Sequence, residues 1–197
     1  MALADVYISA DIEADGPIPG PYSMLSFGFA VAGRFDGVLF ERIDPTSLTF
    51  YCELAPISDA FEPAALAKSH LDRERLVRQG ASPPIAMNEA QAWVKSVSRG
   101  DRPVMVGYPL VFDWTFLYWY FRRYADQGSP FGHSSGLDMK TMYAVKARKV
   151  LTKATKSQMP RQLLSSRRHT HHALDDAIEQ AEMFANLFEW EGDLARD

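Results

Sequence analysis

Apolar and polar positions alternate from Val6 to Glu13, with Val6, Ile8, Ala10 and Ile12 on one side and Tyr7, Ser9, Asp11 and Glu13 on the other. A period of two is that of a β-strand with one apolar face, and it aims Asp11 and Glu13 the same way. The turn formers in Asp15-Gly16-Pro17-Ile18-Pro19-Gly20-Pro21 end this strand, and the apolar run from Met24 to Val31 predicts a second, followed by a hairpin. Leu48, Phe50, Cys52 and Leu54 alternate with Thr49, Tyr51 and Glu53 as a third strand.

After Leu54 the pattern becomes helical. Ala64 to Lys68, Arg73 to Arg78 and Met87 to Ser98 predict helices, with Gly80-Ala81-Ser82-Pro83-Pro84 separating the last two. Pro103 to Tyr108 is a short apolar fourth strand, Asp113 to Tyr124 an aromatic-rich helix, and Leu137 to Met139 a fifth strand leading into a helix near Met142. In the final helix Leu174, Ile178, Ala181, Ala185 and Phe188 recur at helical spacing, which puts Glu179 and Glu182 on other faces. Three antiparallel strands followed by alternating helices and strands predict an α/β fold: a mixed five-stranded sheet with helices on both faces. Carboxylates at the end of its first strand then lie near the sheet centre, where such sheets leave a crevice for ligands.

With 197 residues, 47% of them hydrophobic, the chain can bury one substantial core. There is no apolar run long enough to span a membrane, and no basic stretch with an apolar segment and cleavage site opens the chain. Together with a single cysteine, Cys52, these features lead us to expect a cytoplasmic protein that uses no membrane. The net charge of −4 argues against nucleic acid until its distribution is considered. Nine basic residues and no acid lie between Lys140 and Arg168, so the rest of the chain is strongly acidic. An acidic metal site beside a basic flank produces that pattern, as does a solvated helix and loop.

Asp11 and Glu13 repel unless something positive lies between them, and Mg²⁺ or Mn²⁺ takes hard oxygen ligands of this kind. An exposed strand edge with solvated acids fits the pair equally well. Phe112-Asp113 opens a helix, where an aspartate also serves as an N-cap. A third group, His169-Thr170-His171-His172-Ala173-Leu174-Asp175-Asp176, runs from a loop into the last helix.

Taken together, Asp11-Ile12-Glu13-Ala14-Asp15-Gly16, Phe112-Asp113 and His171-His172-Ala173-Leu174-Asp175-Asp176 resemble the three motifs of the DEDDh 3′→5′ exonucleases, in that family's order. The family includes polymerase proofreading subunits, ribonuclease T and oligoribonuclease. Its histidine stands five positions before the last metal-binding aspartate, which selects His171 and Asp176 over His172 and Asp175. The resemblance implies a ribonuclease H-like fold over a single domain, 1–197, with a catalytic core at about 4–190. It implies that Asp11, Glu13, Asp113 and Asp176 hold two divalent cations, Mg²⁺ or Mn²⁺, roughly 4 Å apart, and that His171 is the general base. The expected reaction releases nucleoside 5′-monophosphates from the 3′ end of single-stranded DNA or RNA. Several relatives are homodimers, and the resemblance carries that expectation too.

Substrate contacts follow from the same matches: Ile12, Ala14 and Phe112 beside the acids, with Phe112 unstacking the terminal base, and Lys68 touching phosphate. The aromatic block Trp114, Phe116, Tyr118, Trp119, Tyr120 and Phe121 is read as core. The basic stretch is read as a track for the substrate backbone. The sequence departs from the family in having Ala14 where many members carry Thr, and no Asn shortly before Phe112. The alternative reading is a catalytically inactive nucleic-acid-binding module of the same fold. A zinc site at His169, His171 and His172 lacks further nitrogen or sulfur ligands nearby in sequence.

Overall fold

In the computed structural model, which describes residues 3–192, the chain runs β1 (Asp5–Ala14), β2 (Met24–Phe35), β3 (Phe40–Arg42) and β4 (Thr49–Glu53) before its first helix. There follow α1 (Pro63–Ser69), α2 (Arg73–Gln79), α3 (Pro83–Ser98), β5 (Arg102–Gly107), α4 (Leu110–Tyr124), β6 (Gly136–Asp138) and α5 (Met139–Lys146). Three short 3₁₀ turns then lead to α6 (Ala173–Glu189). The mixed sheet is ordered β3-β2-β1-β5-β6, with β1–β2 antiparallel and β1–β5 and β5–β6 parallel. It has six strands where the alternation predicts five. The added strand, β3, is three residues long, too short to show a period, and it shares the outer edge of β2 with β4.

Both faces of β1 are covered, which corrects the expectation of a single apolar face. Val6, Ile8, Ala10 and Ile12 pack with α3 and α4 residues such as Val94, Phe116 and Tyr120. On the other face Tyr7 packs with Ala177, Ala181 and Phe184 of α6, and Ser9 is fully buried. Buried central strands need not alternate apolar with polar.

Small residues let α6 approach this second face closely. Ala30 and Ala32 of β2 and Ala177 and Ala181 of α6 lie in one cluster. At Gly28, which pairs with Asp11, a Cβ would stand 2.6 Å from the backbone of Ala173 and Leu174. Glycine there is what admits the first turn of α6 onto the sheet.

The helix is buried nearly all round, so its covered face is wider than the spacing of Leu174, Ile178, Ala181, Ala185 and Phe188 predicts. Glu179, expected on another face, is buried with 6% exposure. The segment before α6 is responsible, since its Leu163 and Met159 pack against the same cluster. Pro83 and Pro84, expected as a separator, instead open α3 at its first turn, where a missing N–H costs nothing. The aromatic block, read as core, is so only in part: Phe116, Tyr120 and Phe121 are fully buried, while Trp114 and Tyr118, stacked on each other, and Trp119 are partly exposed at its margin. Among the described residues, no helix is long and apolar enough to cross a membrane.

Candidate active site

Three elements bring four carboxylates to one end of the sheet. Asp11 and Glu13 lie in the stretch of β1 from Ile8 to Glu13 that pairs with β2 without a bulge, between register shifts at Tyr7/Ile8 and Glu13/Ala14, so they keep a common face. Asp176 stands in the first turn of α6, and carboxylate oxygens of Asp11, Glu13 and Asp176 lie within 4.8 Å of one another. Asp113 stands in the first turn of α4 and is not its N-cap, a position held by Pro109. Its Oδ1 accepts the backbone N–H of Ile12 at 3.0 Å, which places it against β1 between the other two acids of that strand.

The proximity of these acids shows in their proton affinities. Burial, then the charges of Asp113, Asp176 and Glu13, hold Asp11 well above the ordinary carboxylate range. Glu13 is pushed up to about 7, chiefly by burial and then by Asp176. Burial also raises Asp113, against the opposing effect of the Ile12 N–H. Like charges gathered in a partly dry cleft hold protons unless a cation replaces them, and hard divalent cations suit an all-carboxylate donor set. The donor chemistry therefore fits Mg²⁺ or Mn²⁺.

Asp176 is fully buried and shapes the loop before its own helix. It accepts the N–H of Thr170 at 2.8 Å and of His171 at 2.9 Å, holding His171 at φ 57°, a left-handed conformation that non-glycine residues seldom adopt. Burial and then His169 lower the pKa of the His171 ring against the opposing charge of Asp176, with Lys68 and His70 adding to the lowering. An imidazole so disposed stays neutral near pH 7 and can accept a proton. His172 faces elsewhere: its ring packs on Tyr51 at 4.6 Å, so the three histidines do not form one metal site.

The four acids, His169 and His171 line a cleft of about 480 Å³, whose walls also include Ile12, Ala14, Lys68 and Phe112. Phe112 is 42% exposed, one turn ahead of buried Phe116, and presents an aromatic surface beside Asp113. Asp15, by contrast, turns away from the acids; it is fully buried, pairs with Arg73 at 3.0 Å and accepts the N–H of Ser23.

Several residues escaped the sequence. Gln180 donates to Asp11 at 2.7 Å and accepts from the N–H of Tyr108. Glu179 joins Lys156 at 2.9 Å to His169 at 3.2 Å, and His169 also reaches Asp176 at 3.1 Å. Their spacing after Asp176, three and four residues along the helix, was the available signal. The basic stretch is not a uniform substrate track. Four of its nine cations are spent within the chain: Lys146 on the last carbonyls of α6, Lys149 on Gln158, Lys156 on Glu179 and Arg167 on Glu182. A long segment with only short 3₁₀ turns needs such ties to hold its place.

A mixed sheet of this order, flanked by helices on both faces, is the ribonuclease H-like architecture of the DEDDh 3′→5′ exonucleases. The chain belongs to the family described as the 3′-5′ exoribonuclease Rv2179c-like domain, whose model matches residues 66–188. It is 38% identical over 181 residues to the 3′-5′ DNA exonuclease Cap18 of Escherichia coli, an alignment covering 91% of this chain and 90% of Cap18. In fold it is similar to the nuclease domain of 3′hExo, a DEDDh family member solved bound to rAMP, with a TM-score of 0.70 and 14% identity over 95% of this chain and 94% of that one. A 3′-exonuclease solved in 3′-end specific recognition of a histone mRNA stem-loop matches with a TM-score of 0.68 and 14% identity over 95% of this chain, which spans 65% of that protein's length. The protein is thus a 3′→5′ exonuclease.

Proposed function

We propose that the protein is a metal-dependent exonuclease that removes nucleoside 5′-monophosphates from the 3′ end of single-stranded DNA or RNA. The observation that carries this reading is the convergence of Asp11, Glu13, Asp113 and Asp176 with His171 in one cleft. A degenerate binding module has no need of all five. The cleft, about 480 Å³, has room for a terminal nucleotide.

Asp11, Glu13, Asp113 and Asp176 would hold the cations. When bound, divalent ions supply positive charge to the phosphate oxygens, a more acidic water and stabilisation of the departing 3′-oxygen. His171, kept neutral, takes the proton of the attacking water. Phe112 offers its exposed ring to the unstacked terminal base, as aromatic side chains do in single-strand sites. Lys68, on α1 across the cleft, meets the phosphate, while Ile12 and Ala14 line the floor under the terminal sugar.

The related proteins named above act on DNA in one case and recognise RNA in another. Matched DNA and RNA oligonucleotides labelled at the 5′ end test the reading. Shortening in single-nucleotide steps from the 3′ end, lost in His171→Asn, is the expected result. An internal cleavage pattern, or intact substrate at enzyme concentrations above substrate, contradicts it.

A further inference from the structure

Gln180 is 2% exposed and sits one helical turn after Asp176, on the face of α6 that meets β1. Its Nε2 donates to Asp11 Oδ1 at 2.7 Å, and its Oε1 accepts the backbone N–H of Tyr108 at 2.5 Å. The carboxylate of Asp11 only accepts and the Tyr108 N–H only donates, so a side chain joining them needs a donor at one corner and an acceptor at the other. An amide meets that demand in one orientation. Methionine in its place fills similar volume but leaves the N–H buried without a partner and Asp11 unheld.

Three elements meet at this one amide. α6 carries Asp176, β1 carries Asp11, and Tyr108 leads from β5 into α4, which carries Asp113. An aspartate crowded by three other acids is driven to rotate away from them. A hydrogen bond to one of its oxygens opposes that rotation and leaves the other oxygen available.

We propose that Gln180 is a positioning residue that fixes the Asp11 carboxylate for cation binding and ties that carboxylate to the strand end from which Asp113 is launched. The proposal rests on the metal-dependent reading above. It assigns a role outside the four acids and the histidine, to a residue that touches neither substrate nor cation.

The test is calorimetric titration of the full chain with Mn²⁺ alone, for the wild type and Gln180→Met, beside exonuclease rates over a range of Mn²⁺ concentrations. Loss of a hydrogen bond behind a metal ligand typically weakens binding about 10–100-fold. Gln180→Met should raise the Mn²⁺ dissociation constant by that factor and shift the half-maximal Mn²⁺ concentration equally. Saturating Mn²⁺ should restore kcat, with KM for the oligonucleotide unchanged, a pattern that a merely structural defect does not give. If Gln180→Met does not fold, Gln180→Asn, which keeps the amide but is one methylene too short to bridge both partners, takes its place. A folded variant that binds Mn²⁺ as tightly as the wild type, or a rate loss that saturating Mn²⁺ leaves in place, overturns the proposal alone. A wild-type protein that takes up no Mn²⁺ removes the cation reading and this proposal with it.

Discussion

The two halves of β1 meet the same helix through the same face and are built for opposite ends. In the first half Tyr7 lies against Phe184 at 4.7 Å and Phe188 at 5.4 Å, in an aromatic cluster that also takes in Phe40. In the second half Asp11 and Glu13 face the first turn of α6, where Asp176 adds a third charge. One end of the strand–helix contact supplies cohesion, and the other holds repulsion that the cohesive end must bear. Separating stability from activity along a single interface is possible because the small residues of β2 and α6 keep the two elements close along their length.

The largest effect is expected at the charged end. Asp11→Asn keeps an acceptor for Gln180 but removes a negative charge from the proposed cation site, and should lower the exonuclease rate by at least about 10³-fold. The same change relieves repulsion, so the melting temperature of the metal-free protein should rise. A variant that is both inactive and less stable would break the contrast. At the cohesive end Phe184→Ala should cost about 3–5 kcal/mol in denaturant unfolding, while the folded fraction keeps its rate per molecule. Between the halves, Gly28→Ala drives a Cβ into the backbone of Ala173 and Leu174. Displacing α6 and Asp176 by even 1 Å should reduce the rate by about 10²-fold, with a smaller loss of stability than Phe184→Ala. Steady-state kinetics on the three variants ranks them.

The smallest effect is a pH dependence with an unusual sign. Glu13 has a folded-state pKa of about 7 against an ordinary 4.5, so the folded protein binds its proton more tightly than the unfolded chain does. The stability this group contributes is present below the unfolded value and is lost as pH rises through about 7. Metal-free protein should therefore melt a few degrees higher at pH 6 than at pH 8, since about 1 kcal/mol moves the transition of a domain this size by about 2–4 °C. Mn²⁺ should erase the difference by taking the place of the proton. Equal melting temperatures without metal would count against the electrostatic picture of this end.

What could be read from the sequence follows from range. Period-two alternation, helical spacing and turn residues are local, and they located β1, β2, β4, β5 and β6 and the six α-helices of the described residues. Asp11, Glu13, Asp113, His171 and Asp176 stand out in the sequence because they sit in short motifs with family spacing, and the fold gathers them in one cleft. β3 was hidden by its length. The burial of Glu179 and the hydrogen bonds of Gln180 were hidden because each depends on a partner far along the chain, Lys156 for one and Asp11 with Tyr108 for the other. Counting charges from Lys140 to Arg168 revealed a basic segment but not that Lys146, Lys149, Lys156 and Arg167 answer to groups inside the chain. Asp15 lies inside the first motif yet pairs with Arg73 and accepts the N–H of Ser23.

The measurement that bears most directly on the acidic end is release of mononucleotide from a 3′-labelled single strand, before and after chelation and on restoring Mn²⁺. If the four carboxylates work by holding divalent cations, release stops with the chelator, returns with Mn²⁺, and yields the nucleoside 5′-monophosphate. Release that continues undiminished in the chelator would contradict that account.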